Sequence, residues 1–168
     1  MRHQTGPVSR GKSCGDFGLY TRIKMYEGSC HCGKIRYRIN SELSDFGYCH
    51  CRSCRKTSGS AHGANAGVAR QHFDLSDPEG ALREYESSPG KYRTFCSNCG
   101  SPIFAYLAAT RDLIRVRLGT LDTRLNKRAK AHTFVDDKAP WHDIEGNLPQ
   151  FSEWASKDVL IQVGSRQR

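Results

Sequence analysis

The chain has 168 residues, of which 37% are apolar, and its formal net charge is +9. This length suits one domain with a hydrophobic core, and no apolar run approaches the length that spans a bilayer. The N-terminus has no apolar stretch of the kind found in secretory signals, so we expect a cytoplasmic protein whose clustered cysteines bind metal rather than form disulfides.

Residues 1–24 constitute a basic N-terminal arm that is rich in glycine and lacks apolar periodicity. Its one acidic residue is Asp16, and its basic residues are Arg2, Arg10, Lys12, Arg22 and Lys24. This composition predicts a disordered, solvated arm rather than one that binds nucleic acid. We predict no role for Cys14, the lone cysteine of the arm.

From Tyr26 onward, short alternating runs separated by turns predict one mostly β domain over residues 25–151. Strands are predicted over residues 35–39, 92–96 and 114–118, each with an apolar face and a basic outer face. The basic residues of these faces include Arg36, Arg38, Arg93, Arg115 and Arg117. No segment has the spacing of a long amphipathic helix. Residues 152–168 are predicted to be a C-terminal tail, with a further strand over residues 159–163.

Seven of the eight cysteines fall into three groups, a pattern typical of metal ligation. The groups are Cys30 and Cys32, then Cys49, Cys51 and Cys54, and finally Cys96 and Cys99. Sulfur ligands about 2.3 Å from a tetrahedral zinc ion lie about 3.8 Å apart, which residues close in sequence can reach at a turn. The two pairs adjoin predicted strands and suit one closed, structural four-thiolate site. The central three come from one local loop, and they predict a second zinc site with an open coordination position.

Two histidines offer an alternative for the central site. His50 lies inside the central group and His62 follows it, so either one could complete the site and make it structural. His31 points away from the face shared by Cys30 and Cys32 if that segment is extended, and it is not a predicted ligand. An iron–sulfur cluster is a further alternative, although such clusters commonly follow other cysteine spacings.

The open site favours thiol chemistry. Three thiolates around a dication leave a charge of −1, which weakens the metal as a Lewis acid and disfavours water activation. An incoming thiol can instead be held there as a thiolate at neutral pH. Arg52, Arg55 and Lys56 alternate with the cysteines and are predicted to bind substrate carboxylates. The alternative for these three cations is a solvated basic loop.

Four segments resemble the glutathione-dependent formaldehyde-activating enzyme family, which also includes centromere protein V. They are residues 28–33 (GSCHCG), 48–60 (YCHCRSCRKTSGS), 95–100 (FCSNCG) and the C-terminal motif within residues 132–151. The resemblance covers about residues 26–151. It implies a β-tent zinc-binding fold, in which antiparallel sheets are clamped by metal. The implied activity joins formaldehyde to glutathione as S-(hydroxymethyl)glutathione, and it is classed as a carbon–sulfur lyase.

The resemblance also implies roles for individual cysteines. By position, Cys30, Cys32, Cys96 and Cys99 match the ligands of a structural zinc ion, and Cys49, Cys51 and Cys54 match those of a catalytic one. The chain departs from the family at His62, where many relatives carry an aromatic residue.

Three functions are compatible with these features. The first is an enzyme whose zinc site binds a small thiol, such as glutathione, and adds it to an aldehyde such as formaldehyde. The second is a binding module with two structural metals, whose basic strand faces contact nucleic acid or an acidic protein. Those faces lack the interleaved aromatic residues of single-strand binders, which argues against nucleic acid. The third is a zinc or thiol chaperone that transfers its cargo from the open site.

Overall fold

The computed structural model describes residues 25–156 and 158–160. The predictions for residues 1–24, including Cys14, and for residues 161–168 lie outside the described residues. Within the described part, no helix is long and apolar enough to cross a membrane.

The described chain is built mainly from short strands. The strands are β1 (Tyr26–Ser29), β2 (Arg36–Ile39), β3 (Tyr48–Cys49), β4 (Gly63–Ala69), β5 (Phe73–Ser76), β6 (Leu82–Ser88), β7 (Lys91–Cys96), β8 (Pro102–Leu107), β9 (Thr110–Arg117), β10 (His132–Thr133) and β11 (Gln150–Phe151). One α-helix, α1 (Arg52–Ser58), lies between β3 and β4, and the 3₁₀ turns are Arg70–His72, Leu118–Thr120 and Val135–Asp137. The mostly β class and the strands predicted from alternation, which correspond to β2, β7 and β9, are confirmed.

The strands form two sheets. The small sheet has the order β1-β2-β5 and is antiparallel throughout. The large sheet has the order β11-β10-β3-β4-β9-β8-β7-β6. Its pairs are antiparallel from β3 to β6, whereas β10 pairs in parallel with both β3 and β11. The expectation of antiparallel sheets therefore holds for all but the β10 pairings at one end.

The hydrophobic core lies between the two sheets, because alternation along each strand directs every second side chain inward. Tyr37 of β2 stacks on Phe73 at 5.0 Å between ring centroids, and Phe73 contacts Phe104 of β8 edge-on at 5.3 Å. The Tyr37 hydroxyl is 2.8 Å from that of Thr120. Gly28 lies directly over this tyrosine, where a Cβ atom would be 2.2 Å from the ring, so this position has no room for a side chain.

The opposite face of the large sheet corrects one expectation from the sequence. β7 and β9 do carry a basic face, as their alternation predicts, but Arg93 and Arg117 are each only 5% exposed. Helix α1 covers this face, and its Thr57 hydroxyl accepts hydrogen bonds from both guanidinium groups. Arg115 is half-buried under Trp154, whereas Arg36 and Arg38 of the small sheet are exposed as predicted. The outer face predicted for β7 and β9 is therefore wrong for Arg93 and Arg117.

The segment after β11 packs back on the domain. The Phe134 amide donates to the Glu153 carbonyl at 3.2 Å, and the Trp154 ring meets the Phe134 ring edge-on at 5.1 Å. Val159 and Leu160 lie in a turn, so the strand predicted over residues 159–163 is wrong for its described part.

Candidate metal centre

The two outer cysteine pairs meet at one cluster. The ligand atoms of Cys30, Cys32, Cys96 and Cys99 all lie within 4.8 Å of one another. The Cys32 sulfur is 3.5 Å from that of Cys30 and 3.8 Å from that of Cys96. These separations are close to the 3.8 Å or so expected for two sulfur ligands of one tetrahedral zinc ion.

Two similar turns build this four-cysteine cluster. Gly33 and Gly100 follow the two cysteine pairs directly, with φ angles of 77° and 75°. Their amides donate to the carbonyls of Cys30 and Cys96 at 2.9 and 2.8 Å. Left-handed backbone of this kind favours glycine, which has no Cβ to clash. Because Cys30 follows β1 and Cys96 ends β7, the cluster connects the small sheet to the large one.

The three central cysteines form a second cluster, and their ligand atoms also lie within 4.8 Å of one another. Cys49 ends β3, and Cys51 is the N-cap of α1, where its sulfur accepts a hydrogen bond from the Cys54 amide at 3.4 Å. Cys54 lies in the first turn of the helix, whereas the sequence predicted only a local loop here. A strand end and a helix start therefore hold three sulfurs together.

No histidine, aspartate or glutamate of the described residues joins the three sulfurs in this group. His50 is fully buried, and its Nε2 atom lies 2.8 Å from Nδ1 of His132. The rings of His62 and His142 lie 5.4 and 5.8 Å from that of His50. Burial, and then the nearby histidines, lower the pKa of His50 to about 4. The alternative in which His50 or His62 completes the central site thus has no support in the geometry, because both rings belong to a separate histidine cluster.

The central cluster favours a thiolate at Cys54. Hydrogen bonds from Cys49 and Cys51 lower the pKa of Cys54, and the charges of Arg117 and Arg93 act in the same direction. Gly63 leaves room for Arg117 to approach Cys54, since a Cβ atom at position 63 would lie 3.2 Å from both residues. A sulfur held as a thiolate is the form that binds a metal ion.

The three cations that the sequence predicts to bind substrate all lie on helix α1. Arg52 and Lys56 are exposed on α1, and the Arg55 side chain donates to the carbonyl of His50 at 3.1 Å. None of the three lines the cavity that opens beside Cys49 and Cys54.

That cavity has a volume of about 70 Å³, and its cationic lining residues are Lys91, Arg93 and Arg115. Alternation in the sequence predicts outer strand faces for Arg93 and Arg115, and it predicts no role for Lys91. Their alternation with core residues was visible in the sequence, but the helix and C-terminal segment that cover them were not.

The chain matches a family model and is similar to known proteins. The family model for the glutathione-dependent formaldehyde-activating enzyme matches residues 25–137. A Halomonas elongata protein, whose name assigns it provisionally to these enzymes, is 29% identical over 138 residues, which cover 72% of this chain and 82% of that protein.

An uncharacterized lyase of Schizosaccharomyces pombe is 26% identical over 127 residues, covering 76% of this chain and 90% of that protein. A crystal structure of a Rhodobacter sphaeroides protein aligns with a TM-score of 0.49 and 20% identity, covering 60% of this chain and 91% of that one.

Proposed function

Because the chain belongs to the family of glutathione-dependent formaldehyde-activating enzymes, we propose that it joins glutathione to formaldehyde as S-(hydroxymethyl)glutathione. The relatives are named for such an enzyme and for a lyase, which supports an enzyme of the lyase kind, and we propose a carbon–sulfur lyase. One observation carries the proposal: three sulfurs lie together beside a cavity, without a fourth ligand from the described residues.

The donor atoms fit zinc at both clusters, since each cluster offers only thiols whose sulfurs are close enough to share one ion. We assign the structural ion to Cys30, Cys32, Cys96 and Cys99, and the second ion to Cys49, Cys51 and Cys54. When bound at the second position, zinc would keep the glutathione sulfur as a thiolate at neutral pH.

The reaction requires little beyond positioning. The glutathione sulfur forms a bond to the formaldehyde carbon, the carbonyl π electrons move to oxygen, and the proton lost by the thiol ends on that oxygen. This addition proceeds without a catalyst, so the chain accelerates it mainly by holding both reactants together. Cys49 and Cys54 line the cavity in which this would occur, and Arg117 balances the charge at Cys54.

Exchange NMR with ¹³C-formaldehyde and glutathione tests the proposal, because it measures the rate of interconversion at equilibrium. We expect the purified zinc-loaded protein to accelerate exchange, and Cys51→Ser to give the buffer rate. Ser53→Ala is the matched control, since this exposed neighbour on α1 supplies no sulfur. The zinc content should be two ions per chain in the control and one in Cys51→Ser. Equal exchange rates for Cys51→Ser and wild type would contradict a catalytic role for the central cluster.

The other functions considered from the sequence have less support. Arg117 is almost fully buried against Asn65 and Thr57, so it is not available to a nucleic acid. A chaperone would release zinc from the central cluster without accelerating exchange, and the same experiment separates it from an enzyme. We also propose a cytoplasmic location, because reducing conditions keep clustered thiols available to metal.

A further inference from the structure

A row of cations crosses the large sheet beside the central cluster. In the sheet register Arg93 of β7 pairs with Ala105 of β8, Ala105 pairs with Arg115 of β9, and Arg115 pairs with Gly67 of β4. Side chains opposite one another in neighbouring strands point to the same face. Ala105 between the two arginines and Gly67 beside Arg115 are small and leave the floor of the cavity open, and Lys91 lies on the same face of β7.

These cations have no carboxylate partner in the part of the chain that the structure describes. The ion pairs there join Lys34 to Glu79, Arg38 to Glu27, and Lys127 to Glu42. The Lys91 ammonium and the Arg115 guanidinium donate no hydrogen bond to a described residue. Arg93 donates only to the hydroxyls of Ser87 and Thr57, at 3.0 and 3.4 Å.

Unpaired buried cations are costly unless a negative charge compensates them. A three-thiolate zinc site supplies a single negative charge, and Asp45 is the one acidic side chain that lines the cavity. Together with Arg117, four cations surround this region, and positive charge remains in excess. A cavity of this kind favours an anionic ligand, and arginine forks match the planar geometry of a carboxylate.

We propose that Lys91, Arg93 and Arg115 bind the carboxylates of the thiol substrate and make the site selective for anionic thiols such as glutathione. This inference rests on the function proposed for the central cluster. Trp154 positions one member of the set, since its ring lies 5.5 Å from the Arg115 guanidinium carbon. The cavity cations replace the set predicted from the sequence, whose exposed members Arg52 and Lys56 lie outside the cavity.

The test compares glutathione with its diethyl ester, in which both carboxylates are neutral but the thiol is unchanged. For zinc-loaded Arg115→Gln and Lys91→Met, we expect the KM for glutathione to rise about tenfold to a hundredfold, as when a hydrogen bond to a charged group is lost. The KM for the diester and both kcat values should stay within about twofold. Arg36→Gln, which removes an exposed cation from the small sheet, is the charge-matched control and should match wild type.

Two kinetic results would overturn the inference. Equal increases in KM for glutathione and the diester would assign the cations a merely structural role. An increase in the KM for glutathione but not for the diester in Arg52→Gln, with no such increase in Arg115→Gln, would move carboxylate binding to α1.

Binding measured by calorimetry makes this test independent of the proposed reaction. Even if wild type does not accelerate exchange, it should bind glutathione more tightly than the diester, and Arg115→Gln should lose that preference. Equal affinity of wild type for both thiols would refute the inference alone.

Discussion

Replacing Cys32 and Cys99 together with serine should destabilise the domain far more than replacing Cys51 and Cys54 together. The sulfurs of Cys32 and Cys96 meet across a sequence separation of 64 residues, whereas Cys51 and Cys54 are three residues apart. If each metal site acts as a cross-link, closing the long loop contributes about 4 kcal/mol, and closing the short one about 1.5 kcal/mol. Cys32 is exposed and Cys99 partly so, so serine at these positions costs little packing.

Thermal unfolding followed by circular dichroism, with zinc measured on the same samples, checks this prediction. For a chain of this size, each kcal/mol lowers Tm by about 2–4 °C, so the two double variants should lose about 8–16 °C and 3–6 °C. Each variant should retain one zinc ion per chain. Equal decreases in Tm, with one ion lost from each variant, would refute the view that only the four-cysteine cluster connects distant strands.

Gly28→Ala should lower the free energy of unfolding by about 3 kcal/mol, because its Cβ would lie 2.2 Å from the Tyr37 ring. Chemical denaturation measures this loss, and Gly119→Ala, which meets nothing within 4 Å, should lose far less. Burial, and then nearby histidines, lower the pKa of His62, so protonation favours the unfolded state and stability falls as pH falls through the usual histidine range. His62→Phe should therefore show a smaller decrease in Tm between about pH 7.5 and pH 5 than wild type, and an equal decrease would refute this origin. Trp154 lines the cavity, so glutathione should change the tryptophan fluorescence of wild type and leave that of Trp154→Phe unchanged.

The cysteine clusters could be anticipated because short-range spacing largely determines them. A glycine follows each of the pairs Cys30–Cys32 and Cys96–Cys99. The left-handed conformation of that glycine closes a turn in which both sulfurs of the pair lie on one side. Pairing the two distant turns required only the argument that two ligands from each make a closed site. The strands β2, β7 and β9 were likewise predicted, because period-two alternation is a local signal.

The burial of Arg93 and Arg117 could not be predicted, since alternation shows which face a side chain shares but not what covers that face. Helix α1 could not be predicted either, because its sequence lacks the local signals of a helix. It is seven residues long, too short to display a three-and-four apolar spacing, and Cys54 is its only buried residue. Its N-cap is a cysteine, which is not one of the residues that normally indicate a helix start.

Helix α1 links the central sulfur cluster to the row of cations. Cys51 caps its N-terminus, Cys54 lies in its first turn, and Thr57 follows, whose hydroxyl accepts hydrogen bonds from Arg93 and Arg117. The same hydroxyl donates to a backbone carbonyl of the helix at 2.8 Å, which fixes its lone pairs toward the sheet. Two of the three central cysteines and the hydroxyl that binds the guanidinium groups thus belong to one short segment. An ion that orders Cys51 and Cys54 would therefore also order the helix that covers Arg93 and Arg117, next to the site where an anionic thiol is proposed to bind.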